Sequence, residues 1–179
     1  PMLRMLDGPD ELCPFVTPAG CAVYDDRPGA CRFYPLGRGT KIASEGVAER
    51  FFVVREDHCR GFDTGTERTA AQWLAHQELQ PFNASNDKYM RLMSLVRATG
   101  SPLEPRMATM CVLALFQMDK FRQFLTAMRV CDRLDLSAER RQAAMEDSLH
   151  GDEALLDFGL DWMELIIFGQ SQGLAPKAD

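Results

Sequence analysis

The sequence lacks any run of the roughly 18–20 apolar residues that a membrane-crossing helix needs. It also lacks an excess of positive charge: Lys plus Arg total 20 against 26 for Asp plus Glu, a net charge of −6. Phosphate contacts dominate nucleic-acid affinity, so an acidic chain with no basic cluster is not expected to bind nucleic acid. No Gly-x-x-x-x-Gly-Lys-Ser/Thr loop is present. Gly37-Arg38-Gly39-Thr40-Lys41 lacks that order. Neither a Ser-His-Asp spacing nor a dinucleotide-type glycine turn stands out, so no complete catalytic constellation is visible. The opening Pro1 to Asp7 is too short and too soon charged for a signal peptide, which makes the cytoplasm the expected compartment. Pro1 is expected either to follow a removed initiator Met or to open the later part of a longer chain.

Hydrophobic residues make up 46% of the 179, enough for a buried core. Four of the six cysteines, Cys13, Cys21, Cys31 and Cys59, fall in the first 60 residues. The same stretch holds 6 of the 10 prolines and 6 of the 13 glycines, which interrupt regular elements. Short strands are expected at Met2 to Leu6, Cys21 to Tyr24 and Phe51 to Val54. A loop-rich segment of this size buries little apolar area and commonly needs a crosslink, a metal or a neighbour.

From about Thr66 the pattern turns helical. Thr64 or Thr66 is expected to cap a helix to Leu79, with Pro81 beyond it, and Asn86 to cap a second that ends before Gly100. Pro102 and Pro105 open a third. Along it Met107, Cys111, Ala114, Met118, Phe121, Leu125 and Met128 recur at gaps of four and three, one buried stripe. Cys131 extends that core. Ser137 caps the next helix, to Gly151, and Asp152 the last, which carries Leu155, Phe158, Trp162, Leu165 and Ile166. Glu153, Asp157, Asp161 and Glu164 line one face of it, expected to be solvated. A di-metal carboxylate site would need Glu-x-x-His partners, and Asp147-x-x-His150 alone comes near. The expected fold is α+β and mainly helical. A small irregular cysteine-rich lobe, 1–63, packs on a helical lobe, 64–170, followed by a flexible tail, 171–179.

In a reducing compartment clustered cysteines indicate metal or redox chemistry rather than disulfides. Four thiolates satisfy tetrahedral zinc or the corner irons of a cubane cluster. The intervals of 8, 10 and 28 contain no Cys-x-x-Cys, which argues against a standard zinc ribbon and is compatible with ligands from separate loops. The four sulfurs are expected to converge on one centre. Four thiolates leave it negative, so Arg27 and Arg32 are expected beside the cofactor, with Arg60 flanking Cys59. His58, next to Cys59, is a candidate replacement ligand.

The wording Cys13-x(7)-Cys21-x-Val23-Tyr24-x-x-Arg27-Pro28-x-x-Cys31-Arg32-x-Tyr34-Pro35 resembles the YkgJ-type cysteine-cluster family, a zinc- or iron-chelating domain. Cys59 matches the family's later cysteine. The family's usual N-terminal Cys-x-x-Cys-Cys-like cluster is absent here. The resemblance implies a protein that holds zinc or an iron–sulfur cluster in a structural or metal-handling role. The helical lobe is then left as a surface for a protein partner. The alternative it implies is a redox or group-transfer enzyme related to flagellin lysine N-methylase and using an iron–sulfur cluster.

Overall fold

The computed structural model describes every residue except Pro1, Met2, Asp10, Glu45, His58, Thr64, Asp147, Ser148 and Asp179, together with the side chains of Leu149 and His150. The expected roles of His58, Thr64 and the Asp147–His150 pair lie outside the described residues. The fold is α+β and mainly helical, with seven α-helices and two antiparallel hairpins among the described residues. The chain divides into two compact units, Pro1–Asn86 and Asp87–Asp179.

The first unit opens with a small hairpin, β1 (Val16–Thr17) and β2 (Gly20–Cys21), pairing Val16 with Cys21. One short helix, α1 (Gly29–Phe33), leads through a cis Tyr34–Pro35 peptide into a longer hairpin, β3 (Leu36–Ala43) and β4 (Gly46–Val53). Residues 3–6 form no strand, and Ala22 to Tyr24 fall outside β2. The expected strand at Phe51 is the second half of β4. Its partner β3, not expected from the sequence, carries Gly37 and Gly39 inside the strand. Gly37 faces Phe52 across the ladder, and a Cβ on Gly37 would fall 2.3 Å from the Phe52 ring. The glycine is there because an aromatic ring lies over its backbone. The same placement excludes a phosphate loop, since 37–41 is strand.

A 3-10 turn (Arg60–Phe62) precedes α2 (Ala70–His76). The cap is Thr69 rather than Thr64 or Thr66, and Gln72 reciprocates it in a capping box. Helix α3 spans Gln80–Ala98, so Pro81 opens a helix instead of following one, and Asn86 lies inside it. Proline fits a first helical turn because the N–H it lacks has no partner there anyway. The preceding Glu78 takes a left-handed φ of 53° and makes the break. Among the described residues from Leu3 to His76 none is buried. The buried side chains of this unit are Gln77 and Leu79.

The second unit holds the end of α3, then α4 (Pro105–Phe116), α5 (Met118–Ala127), a 3-10 turn (Val130–Arg133), α6 (Ala138–Met145) and α7 (Leu149–Phe168). Gly100 closes α3 at φ 67°, as a C-terminal glycine does. The expected single helix is broken at Gln117, whose φ of −133° and ψ of 63° are not helical. Ala114, Phe121, Leu125 and Cys131 are buried, and Met107, Cys111 and Met118 half-buried. Met128, past the end of α5, is exposed, contrary to expectation.

Ser137 caps α6 by accepting from the Arg140 amide. Helix α7 begins before Gly151, so Asp152 sits in its first turn and pairs with Arg122 at 2.5 Å. Residues 158 to 164 are all buried, so α7 is enclosed on every side. The acidic face is solvated at Glu153 and Asp157, as expected, whereas Asp161 and Glu164, expected to be solvated too, are interior. Lys88 holds Asp161 at 2.8 Å and Asp157 at 2.5 Å. Arg140 pairs with Asp161, and Arg91 with Glu164. Buried carboxylates persist because cations pair with them. The tail is not frayed either. Leu174 enters the core, and the Asp135 and Lys177 amides bond to Ala175 and Arg133 carbonyls at 2.9 Å.

Candidate metal centre

The four candidate cysteines are free thiols, all in the first unit. Cys13 is half-buried in the turn before β1, where its carbonyl accepts from the Val16 amide at 3.1 Å. Cys21 ends β2 and is exposed. Cys31 is exposed on α1, its amide bonded to the Pro28 carbonyl at 2.9 Å. Cys59 is half-buried at the head of the 3-10 turn. Among the described residues no three His, Cys, Asp or Glu side chains stand close enough together to hold a metal ion. The expected convergence of three or more sulfurs is therefore not formed here. Each sulfur rides on a separate short element, and among the described residues no buried side chain between Leu3 and His76 draws those elements together.

Cys111 and Cys131 contrast with them. Both belong to the core of the second unit, and burial pushes each thiol pKa up, with the nearby Arg141 partly opposing the rise at Cys131.

Arg27 and Arg32 are built into the cysteine-bearing segment. The Arg27 guanidinium lies over the Tyr24 ring, 3.9 Å from its centroid, and donates to the Tyr24 carbonyl and to Gln77 Oε1. Arg32 donates to the carbonyls of Asp25, Arg27 (3.2 Å) and Gln77 (3.4 Å), and sits over the Phe82 ring. The pair thus fastens the 24–32 loop to the C-terminal end of α2. All of these acceptors are carbonyl oxygens. Gln77 carries nothing in its sequence context that marks it. It becomes important because two arginines meet on it.

Tyr34 is the other residue the motif contained without revealing its role. Its buried hydroxyl has no conventional partner and lies beside the Cys59 thiol. The neighbouring Cys59 thiol, then desolvation, pushes the phenol pKa up to about 12. Both residues line an open cleft of about 830 Å³, together with Val53, Arg55, Arg68 and Trp73. The Trp73 indole N–H donates to the Phe33 carbonyl at 3.1 Å and fixes that wall.

No family model, curated protein or solved structure matches the chain. Among the described residues no helix is long and apolar enough to cross a membrane.

Proposed function

We propose that the first unit binds zinc or an iron–sulfur cluster through Cys13, Cys21, Cys31 and Cys59, in a structural or metal-handling role, as the YkgJ-type resemblance implies. One observation carries this reading: a stretch with no buried side chain from Leu3 to His76 among its described residues carries four free thiols. Leu6, Leu12, Phe15, Val16 and Tyr24 around them are exposed. A segment without a core gains its folding free energy from what it binds, and thiolate ligation supplies it on a scale apolar contacts here do not. Ligation would draw the separate short elements together. The Arg27 and Arg32 charges, fixed within the same segment, offset that of the thiolates.

A second reading, a redox or group-transfer enzyme using such a cluster, is favoured by the cleft that Cys59 lines. The test is elemental analysis with absorption spectroscopy of anaerobically purified protein, and of protein loaded with zinc or reconstituted with iron and sulfide. Stoichiometric metal is expected. It should be lost on replacing any of the four cysteines by Ser and kept in Cys111→Ala. Metal that survives those Ser replacements, or fails to bind under either loading, overturns the proposal.

A further inference from the structure

The buried Gln77 amide has two partners, and together they decide which of its ends is which. Arg27 donates to Oε1, and a guanidinium has no acceptor, so that end is the carbonyl oxygen. The other end, Nε2, faces His76 Nδ1 at 3.0 Å and donates to it. His76 Nδ1 therefore accepts, and the neutral ring carries its proton on Nε2. The ring is held for this contact. It stacks on Trp73, with centroids 6.0 Å and planes 19° apart, and the Trp73 indole is fixed by the Phe33 carbonyl. Gln77 is buried, whereas His76, the last residue of α2, is exposed to solvent protons.

A protonated imidazole has a donor at each nitrogen and no acceptor. Against the Gln77 amide it sets donor against donor. Turning the amide over mends that contact only by setting its NH2 against the Arg27 guanidinium. Either way one link of the chain Arg27–Gln77–His76 is lost. The charged and titratable groups brought around the pair are Arg27 with the Tyr24 phenol beneath it, Arg32 on the Gln77 carbonyl and Arg68 over Trp73, with Glu78 next in the chain. We infer that His76 is a proton-sensitive catch on the 24–32 loop. Neutral, it completes the clasp that holds the segment bearing Cys31; protonated, it opens one link of that clasp. Histidine suits such a switch because its charge ordinarily changes within the physiological pH range.

The experiment follows the metal-free full chain by NMR from about pH 8 to about pH 5, so its outcome does not depend on the metal reading. Amide exchange, corrected for its intrinsic pH dependence, reads the loop, and the ring nitrogens read His76. Protection of the Cys31, Arg32 and Tyr34 amides is expected to fall about tenfold with the same midpoint as the His76 ring, as loss of one hydrogen bond implies. The neutral ring should carry its proton on Nε2. His76→Asn, whose Oδ1 takes the place of Nδ1 without titrating, should keep the parent's high-pH protection within about threefold across the range. His76→Lys, a donor throughout, should show the acid value at every pH. Glu78→Gln should leave the parent's curve in place. Flat protection in the parent, a fall that persists in His76→Asn or vanishes in Glu78→Gln, or a neutral ring protonated on Nδ1 would each overturn the inference.

Discussion

Arg27 donates to the side-chain oxygen of Gln77, a residue fifty positions later and one of the few buried side chains of the first unit. Gln77 in turn offers its backbone carbonyl to Arg32. A polar contact thus does what apolar packing does not do for the loop from Tyr24 to Arg32.

Gln77→Ala is therefore expected to loosen that loop. The amides of Cys31, Arg32 and Tyr34, which bond within it, should exchange with solvent roughly 10- to 100-fold faster, the loss of a charge-assisted hydrogen bond. Arg27→Lys should not substitute, because a single ammonium does not fork between Tyr24 and Gln77. Hydrogen exchange unchanged in both variants would leave the loop held by something else.

The six thiols should separate by position. In metal-free protein, iodoacetamide is expected to label exposed Cys21 and Cys31 first and buried Cys131 last, with Cys111 slow because burial raises its pKa. Peptide mass spectrometry over a time course reads the order. Early labelling of Cys131 in folded protein would contradict its place in the core.

Leu125→Ala should cost about 2–5 kcal/mol, the usual range for a truncated core leucine. Met128→Ala, on the same sequence stripe, should stay within about 0.5 kcal/mol, because its side chain is exposed. Denaturant melts that give the two equal costs would restore the single continuous helix and refute the break at Gln117.

Gly173 packs its backbone against Asp161, where an added Cβ would lie 2.0 Å from Oδ2. Gly173→Ala is expected to push the tail off α7, disturb the Arg140 bonds to the Gly173 carbonyl and Asp161, and destabilise by about 1–3 kcal/mol. Faster exchange at the Asp135 and Lys177 amides would locate the damage; an unchanged melting curve would show that the tail is not docked.

Acid should weaken the second unit through Asp132. Its carboxylate accepts from Arg129 at 2.9 Å and Arg141 at 2.8 Å, which hold its pKa below the ordinary value. The folded pKa is depressed, so the contribution is complete above the unfolded pKa of about 4 and disappears as pH falls through the folded value. Asp132→Asn should be less stable than the parent at neutral pH, and the two melting temperatures should draw together below about pH 4. A constant gap across that range would remove Asp132 from the acid response.

The sequence by itself determined the fold class, the cap at Ser137, the stop at Gly100 and most of the apolar stripe through Phe121 and Leu125. These depend on local propensity and on a period that neighbouring residues share. It also set four cysteines apart from the two core thiols, because composition shifts along the chain. Tertiary structure decided what no local pattern encodes. Asp161 and Glu164 of α7 are interior because helices pack around it and Lys88, Arg91 and Arg140 reach them from distant positions. Gly37 is strand because Phe52 covers it from the opposite strand, and Gln117 breaks a helix with neither Gly nor Pro. Arg27 and Arg32 meet at Gln77 across tens of residues. Whether a side chain is buried, paired or free depends on partners far along the chain, and folding alone brings those partners together.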